Sequence, residues 1–376
     1  MYGSNRYLYE VVRRLDPARF RPTVLVPGRG PFSEHLERAG IDVVYRRLSV
    51  LNNKHRLSEV AEFFALFGPG IASVASLVRN RRIALVHTNT CHLLAGALAA
   101  ALLRIPHVWH IHERDISPAA LRKSLSAAVL RLSAKVVTAS TECGKQFFGE
   151  RRSPKLRAIP GGVDPDRFHP GLSGRGVRAE FRLPEAAPVV GMIGRITPWK
   201  GQAEFLEAAR RIRDAVPEAR FLVVGAPDVA ANDRYEGALR SLVAELGIQD
   251  AVVFTGQRDD VPQIIAALDV LVLPSVEPEP FGLVLVEAMA EEKPVVATAI
   301  GGPLEIVSPG DTGFLVPPKD PGAMAAAVLG LLADSPLRTE MGRRGRARAL
   351  ERFTWERAAR DLEACWSEAL RGKQGA

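Results

Sequence analysis

Short runs of β-branched and other apolar residues alternate along this chain with stretches in which apolar residues recur at helical spacing. Strands that alternate with helices form parallel sheets covered by helices on both faces, so the pattern predicts an α/β fold. The runs fall into two series, which predicts two doubly wound domains. The first series is 22–26, 42–46, 84–88, 107–111 and 135–140, and the second is 188–194, 220–225, 251–256, 270–275, 294–299 and 312–317.

A segment rich in Pro, Gly and Asp separates the two series. Residues 160–175 (PGGVDPDRFHPGLSGR) show no periodicity, as is typical of a linker. The length of 376 residues also exceeds what one hydrophobic core usually holds. We therefore expect a break within 165–187, an N-terminal domain over 1–168, a C-terminal domain over 185–350 and a final helical segment over 351–376.

Composition narrows the class of protein. The amino terminus lacks the order of a signal peptide, and no uninterrupted apolar run reaches the roughly 18 to 20 residues of a membrane span. The three cysteines, Cys91, Cys143 and Cys365, are far apart and odd in number. This favours reduced thiols in a cytoplasmic protein, without the spacing of a metal site.

The charge is distributed unevenly. Residues 1–170 carry 26 Lys+Arg against 13 Asp+Glu, whereas 171–376 carry 24 against 29. A basic first half favours an anionic partner, either a membrane surface or nucleic acid. Aromatic residues make up 6% of the chain and do not interleave with basic ones, so we expect no nucleic acid and favour peripheral membrane binding. A merely basic soluble surface stays open as the alternative.

Two segments of the first half could contact a membrane. Residues 119–135 (AALRKSLSAAVLRLSAK) combine basic and apolar residues at helical spacing. Residues 61–78 (AEFFALFGPGIASVASLV) are apolar but contain Gly68-Pro69-Gly70. We expect this interruption to make the stretch dip into a membrane or pack, but not span it.

The most informative stretch is EPEPFGLVLVEAMA (277–290), which follows the apolar run LDVLVLP (268–274). Glu279 lies in the predicted loop between strand and helix, and Glu287 lies inside the helix. Gly282 lets the backbone approach a ligand, and the helix N-terminus offers N–H groups to an anion. A sugar nucleotide has phosphates for those N–H groups and hydroxyls for the carboxylates.

These residues resemble the Glu-x7-Glu signature of retaining glycosyltransferases of family 4. A second element, Gly194-Arg195-Ile196-Thr197-Pro198-Trp199-Lys200-Gly201, resembles the family's Gly-Arg-x4-Lys-Gly motif. The resemblance implies the GT-B fold, with two Rossmann-like domains facing across a cleft and the last helix bracing the first domain. It further implies transfer of a sugar from a nucleoside-diphosphate sugar to a lipid-linked or envelope saccharide, with retention of configuration.

The resemblance also assigns roles in the second domain. Arg195 and Lys200 would bind the diphosphate as cations, which makes a metal cofactor unnecessary. Glu279 would contact the transferred sugar and Glu287 the ribose. The remaining contacts would come from the backbone of Phe281, Gly282 and Leu283 at sugar and phosphate, from Gly256 and Arg258 at the base, and from Glu305, which could equally brace its helix.

In the first domain, His112 resembles the family's histidine that faces the transferred sugar. His87 and Asn89 close the run ALVHTN and could line the acceptor pocket. Gly3 and Ser4 resemble the glycine loop that follows the first strand and would offer N–H groups to the diphosphate. No strand precedes that loop, so we expect the true start to lie upstream and not the loss of a central strand.

Two other functions remain open. A sugar-nucleotide epimerase of similar fold would need no acceptor, and a non-catalytic sugar-nucleotide-binding subunit would lack turnover. Gly161 stands where the family usually has Asn, and it keeps the second alternative alive. Intact Arg195, Lys200, Glu279 and Glu287 argue against that alternative.

Overall fold

The computed structural model describes residues 3–50, 57–113, 119–151, 153–227 and 233–372. It divides into two compact units, of which unit 1 is Met1–Gly161 with Trp355–Ala376 and unit 2 is Gly162–Thr354. The division precedes the break expected within 165–187. The reason lies in local packing, since Val163 donates its N–H to the Phe353 carbonyl at 2.9 Å within unit 2.

Unit 2 contains one six-stranded parallel sheet with helices around it. In chain order its elements are α7 (Arg175–Glu180), β7 (Val189–Ile193), α8 (Gln202–Ala215), β8 (Arg220–Val224), α9 (Asp233–Glu245), β9 (Val252–Gly256), α10 (Val261–Ala267), β10 (Val270–Leu273), α11 (Leu283–Ala290), β11 (Val295–Thr298), α12 (Pro303–Ile306), β12 (Gly313–Val316), α13 (Pro321–Ala333) and α14 (Ser335–Arg352). The strand order β12-β11-β10-β7-β8-β9 is that of a doubly wound sheet and confirms the predicted fold class.

The central strands of unit 2 are apolar because helices cover both faces of the sheet. All four residues of β10 and of β11 are buried, as expected for parallel strands inside an α/β domain. The chain order reverses between β7 and β10, which are neighbours. Such a switch point leaves a crevice at the carboxyl ends of the strands, where ligands bind in this class of sheet.

Unit 1 is also parallel α/β, but its strands form two sheets. Its elements are α1 (Gly3–Val12), β1 (Thr23–Val26), α2 (Pro31–Arg38), β2 (Asp42–Tyr45), α3 (Leu57–Asn80), β3 (Val86–Thr88), α4 (Ala95–Leu102), β4 (His107–Ile111), α5 (Ala119–Leu132), β5 (Lys135–Thr138), α6 (Thr141–Phe148), β6 (Leu156–Ala158) and α15 (Trp355–Arg371). One sheet pairs β1 with β2, and the other has the order β3-β4-β5-β6.

The two sheets of unit 1 share one apolar cluster. Leu25 of β1 and Val86 of β3 both pack against the buried cluster that α3 and α4 form, which includes Val74 and Ala95. Among the described residues, however, no strand pairs between β1 and β3. A doubly wound sheet places its first strand at that position, so the observed order is the doubly wound order with its first strand absent from the described residues.

The start of unit 1 differs from the expected glycine loop. Gly3 and Ser4 form the first turn of α1, one turn before the buried residue Tyr7. Tyr7, Val11 and Val12 give that helix its buried face. Helix α15 lies within the same unit and contacts α1, β4 and β5.

Helix α3 corrects the expected interruption at Gly68-Pro69-Gly70. It runs unbroken through Pro69 from Leu57 to Asn80. Its residues Ala61–Asn80 are long and apolar enough, by length and composition, to cross a membrane. Of this apolar stretch, 22% is buried. The C-terminal half packs on α4, where Val74 and Val78 are buried. In the N-terminal half, the described side chains of 61–69 are exposed or half-buried, and Phe64 keeps 71% of its surface accessible.

Helix α5 does not offer the apolar face expected for a membrane contact. Leu125 is 5% exposed and Val129 is fully buried, and both belong to the cluster that includes Trp109 of β4. The face therefore covers the four-stranded sheet. Amphipathicity alone could not tell this inward face from a lipid-facing one, because both require the same spacing.

Candidate functional site

A nearly buried ion pair of unit 2 joins the loops that follow β7 and β10. Lys200 Nζ donates to Glu279 Oε2 at 2.6 Å, and Ser275 Oγ donates to the same oxygen at 2.9 Å. The two charged side chains are 13% and 8% exposed. This brings together two residues that the sequence assigned to diphosphate and sugar, and it adds Ser275.

Glycines allow the loops around Glu279 to meet. Gly301 has φ +75°, and a Cβ there would lie 2.3 Å from the Glu279 carbonyl oxygen. Gly302 donates its N–H to that oxygen at 2.7 Å. Gly201 has φ +76°, and a Cβ there would lie 2.0 Å from the Pro274 carbonyl oxygen. A larger residue at Gly201 would push the Lys200 loop away from the end of β10, and one at Gly301 would push the loop after β11 away from the Glu279 loop.

The loop after β7 holds two cations. Arg195 is exposed, and its carbonyl accepts a hydrogen bond from Gln202 Nε2 at 2.8 Å. Lys200 Nζ lies 4.4 Å from the Trp199 ring centroid, within cation–π range. The backbone of the loop is thus fixed, while the Arg195 side chain reaches solvent.

The N-terminus of α11 faces the same loop region. Gly282 precedes the helix with φ +103°, and Leu283 is its first residue. Phe281 is buried against Phe353, with ring centroids 5.7 Å apart, so only its backbone is available to a ligand. Glu287 is 3% exposed within the helix. The helix therefore offers N–H groups at its start and a carboxylate farther along.

Arg258 is held by two carboxylates beyond the end of β9. Its guanidinium binds both oxygens of Glu180, at 2.6 and 2.8 Å, and both oxygens of Asp260, at 2.8 Å. It also lies 5.4 Å from the Phe181 ring centroid. These contacts give Arg258 a bracing role between α7 and the end of β9. Gly256, with φ +69°, ends β9 and is exposed.

Glu305 lies in α12, directly after the two glycines that contact the Glu279 loop. Its carbonyl accepts a hydrogen bond from Arg348 of α14 at 2.8 Å. The side chain is partly exposed. The backbone contact is of the kind that the helix-bracing alternative requires.

In unit 1, three residues singled out in the sequence form one hydrogen-bonded chain. Asn89 Nδ2 donates to the Ser4 carbonyl at 3.1 Å, and Asn89 Oδ1 lies 2.9 Å from His112 Nε2. Since Oδ1 can only accept, His112 carries its proton on Nε2 and leaves Nδ1 as an acceptor. Asn89 thus sets the tautomer of His112 and ties it to the first turn of α1.

Aromatic rings surround His112. The His110 ring stacks on it with centroids 3.9 Å apart, and Tyr7 meets both rings edge-on at 4.6 and 5.2 Å. Loss of water around the ring lowers the pKa of His112 to about 4. His112 is therefore neutral near pH 7. His87 lies one ring farther, where its Nδ1 accepts from Trp366 Nε1 at 3.1 Å.

Three neighbours of the candidate site residues, Ser275, Thr298 and Tyr7, were not expected from the sequence. Ser275 and Thr298 support the Glu279 loop, since Thr298 Oγ1 donates to the Ser275 carbonyl at 2.6 Å. Tyr7 and His110 enclose His112. Polar residues at strand ends were a usable signal for Ser275 and Thr298, because ligand-binding loops begin there. Tyr7 gave no such signal, since its spacing makes it part of the apolar face of α1.

Family models match most of the chain. The model for glycosyl transferases group 1 matches residues 176–348, and that for Glycosyltransferase Family 4 matches residues 1–167. Together they cover the chain except for residues 168–175 and 349–376.

Relatives and solved structures agree with these matches. The chain is 34% identical over 300 residues to a D-inositol 3-phosphate glycosyltransferase of Stackebrandtia nassauensis, covering 73% of this chain and 66% of that one. It is 33% identical over 305 residues to the enzyme of that name from Nocardia farcinica, covering 79% and 64%. The chain thus spans slightly less than two thirds of these relatives' length.

A solved structure extends the likeness over nearly the whole chain. Anabaena Alr3699/HepE in complex with UDP and glucose superposes with a TM-score of 0.82 at 27% identity, over 97% of this chain and 96% of that one. A glycosyltransferase from Rickettsia africae shares the fold with a TM-score of 0.83 at 21% identity, over 97% and 94%.

Proposed function

Because this chain belongs to the family-4 glycosyltransferases (glycosyl transferases group 1), we propose that it transfers a sugar from a nucleoside-diphosphate sugar to an acceptor hydroxyl with retention of configuration. The observation that carries the proposal is the nearly buried Lys200–Glu279 pair beside the N-terminus of α11. An isolated buried ion pair stabilises a fold only weakly, so its placement at a ligand crevice favours function.

The proposed donor site lies within unit 2. Arg195 grips the diphosphate with its fork, Lys200 adds a point charge, and the N–H groups that begin α11 complete the anion site. Glu279 accepts hydrogen bonds from the transferred sugar, and Glu287 accepts those from the ribose. Gly256 contacts the base, and the Arg258 side chain holds the neighbouring backbone in place.

These cations also define the electrostatic part of the mechanism. The leaving diphosphate gains negative charge as the bond to the sugar breaks, and fixed positive groups stabilise that charge. We infer that Arg195 and Lys200 do this without a divalent metal. The Glu279 carboxylate, held by Lys200 and Ser275, stabilises the positive sugar. Front-face departure, with a phosphate oxygen taking the acceptor proton, then preserves the configuration.

For unit 1 we propose that His112 contacts the transferred sugar and Asn89 holds it in its Nε2-protonated form. The Nδ1 atom can accept a hydrogen bond from a sugar hydroxyl. Gly3 and Ser4 contribute the first N–H groups of α1, which suit an anion such as the diphosphate.

Calorimetry with UDP tests the donor site. In buffer containing EDTA we expect UDP to bind the full chain, and Arg195→Ala to weaken binding by roughly 1.5 to 3 kcal/mol, as for a charge-assisted hydrogen bond. Arg211→Ala is the matched control, because Arg211 is an exposed residue of α8 in the same unit. Equal affinity of the two variants, or binding that requires Mg²⁺, contradicts the assignment.

Similar proteins narrow the substrates to be tried. HepE was crystallised with UDP-glucose, so UDP-glucose is the first donor to test. For the acceptor we propose a lipid-linked or envelope saccharide, supported by the exposed apolar half of α3. The relatives are named for D-inositol 3-phosphate, a soluble polyol phosphate. Product formation with D-inositol 3-phosphate in the absence of lipid would contradict the proposed lipid-linked or saccharide acceptor.

We propose that the exposed half of α3 docks peripherally on an anionic membrane at its cytoplasmic face. Phe63, Phe64 and Phe67 lie close together, with ring centroids 5.5 Å apart in both pairs, and Phe64 is largely exposed. The net positive charge of residues 1–170 suits an anionic surface. If the protein is merely basic and has no membrane partner, replacing these rings should leave vesicle binding unchanged.

Vesicle sedimentation checks this docking. We expect binding to vesicles with anionic lipid to weaken as salt rises, and Phe64→Ser to weaken it about tenfold, since burying a Phe contributes roughly 1.5 to 3 kcal/mol. Leu102→Ser is the control, because Leu102 of α4 is another exposed apolar residue of unit 1, with 66% of its surface accessible. Equal loss in both variants, or equal binding to neutral vesicles, counts against α3 as the docking helix.

A further inference from the structure

Three metal-ligating side chains meet beside the His112 loop. One ligand atom each of Cys91, His92 and Glu113 lies within 4.8 Å of the other two. Cys91 and His92 follow β3, and Glu113 follows β4. The strands are parallel neighbours, so their carboxyl ends lie side by side and bring the three residues together.

The surrounding contacts orient these donors. Glu113 accepts one hydrogen bond from Thr90 Oγ1 at its Oε1, and another from the His112 N–H at its Oε2, the latter at 3.0 Å. The Thr90 carbonyl in turn accepts from Trp109 Nε1 at 2.7 Å. Such outer contacts are what hold the ligands of a metal site in position.

The burial and solvent access of the three side chains also suit a bound metal ion. Cys91 is fully buried among apolar side chains that include Trp109 and Ile111. His92 and Glu113 are partly exposed and leave a path to solvent. The site therefore combines a fully buried thiol with two partly exposed ligands.

We propose that Cys91, His92 and Glu113 bind a thiophilic divalent cation, best matched by Zn²⁺, and that the ion ties the loop after β3 to the loop after β4. Zinc takes thiolate, imidazole and carboxylate ligands together, whereas Mg²⁺ and Ca²⁺ select oxygen ligands. Zinc bonds of about 2.0 to 2.3 Å require the three atoms to close to about 3.5 Å of one another. Water fills the fourth position.

The charge balance of the site favours an ion over a bare thiolate. Binding of Zn²⁺ releases the thiol proton to solvent and sets two positive charges against one thiolate and one carboxylate. The enclosed group is then neutral overall, which suits its apolar surroundings.

The consequence lies in the position of His112. Glu113 holds the His112 backbone N–H, so an ion bound to Glu113 fixes the residue next to it. The zinc is proposed as a positioning element and takes no part in the sugar transfer. This makes zinc binding separable from the proposed donor site in unit 2.

Competition with a chromophoric chelator tests the site. We expect the EDTA-stripped full chain to bind one Zn²⁺, and Cys91→Ser, His92→Gln and Glu113→Gln each to weaken binding at least about tenfold, since even outer contacts of metal sites matter by that factor. Cys365→Ser is the control, because Cys365 is an equally buried thiol in the same unit. Cobalt should give a sulfur-to-metal absorption band that only Cys91→Ser removes.

Thermal unfolding keeps the test decisive if a variant folds poorly. Zinc should raise the unfolding temperature of the wild-type chain and of Cys365→Ser, but not that of His92→Gln, whose partly exposed site tolerates substitution. Absence of stoichiometric zinc binding, or binding that survives all three substitutions, overturns the proposal. UDP titration of the same EDTA-stripped samples reports separately on the donor site.

Discussion

Replacing Lys200 with alanine should lower turnover of UDP-glucose by a factor of about 10² to 10³, measured as UDP release in EDTA buffer. That range is what removal of one fixed electrostatic contact to a developing anion costs. Lys200 is positioned for this role by its 2.6 Å contact with Glu279 and by the Trp199 ring. The loss should fall on kcat more than on KM, since the charge it meets grows in the transition state.

A structural effect of the same substitution has to be separated from the catalytic one. Removing Lys200 leaves the Glu279 carboxylate nearly buried without its cation, and breaking such a pair costs roughly 3 to 5 kcal/mol. Lys200→Ala combined with Glu279→Gln removes the unpaired charge and should recover stability without recovering turnover. Arg211→Ala should keep both the stability and the turnover of the wild-type chain. Full turnover in Lys200→Ala with an intact fold would remove Lys200 from the mechanism.

The fold could be predicted from the sequence mainly where burial is complete. Strands such as VLVLP and PVVATA are apolar along their whole length because helices cover both faces of the sheet, and runs this short and this rich in valine rarely form helices. Helix α3 shows the opposite case. Proline inside a pattern predicts a break, yet Pro69 lies within a continuous helix, because the turns that follow it pack on α4.

The candidate site was predicted where a motif fixes both residue type and spacing. Glu279 and Lys200 are 79 positions apart and still form one ion pair, because each ends up at the carboxyl end of a central strand. Ser275 and Tyr7 were missed, because their roles follow from which loops or rings they meet after folding. The Cys91, His92 and Glu113 cluster was missed for the same reason, since the spacing of cysteines alone says nothing about a carboxylate on the next strand.

A second large effect is expected at Glu291, a carboxylic acid one turn beyond Glu287. Glu291 is 2% exposed, and neither of its carboxylate oxygens has a hydrogen-bond partner among the described residues. Burial raises the pKa of Glu291 from 4.5 to about 8, although nearby Lys293 opposes the shift. In the folded protein near pH 7 the group is therefore protonated, whereas in the unfolded chain it is ionised.

Glu291→Gln should make unfolding less sensitive to pH. Below pH 4.5 the acid is neutral in both states and has no effect on the pH dependence of stability. Between 4.5 and about 8 the folded state alone keeps the proton, so the wild-type free energy of unfolding falls as pH rises, by about 1.4 kcal/mol per pH unit. Above the folded pKa the total loss is on the order of 5 kcal/mol, which the uncharged amide avoids.

Denaturant unfolding of wild type and Glu291→Gln at pH 5, 6.5 and 8.5 measures this difference, with roughly 3 to 4 kcal/mol expected between the end points. Unit 1 is identical in the two proteins, so its contribution to the free energy of unfolding cancels when they are compared. Glu207→Gln, at an exposed position of α8, should follow the wild type at every pH. If the two curves stay parallel across this range, Glu291 is ionised or hydrated in the native protein. If they diverge as expected, Glu291 at the end of α11 is an acid kept neutral by the packing that buries it.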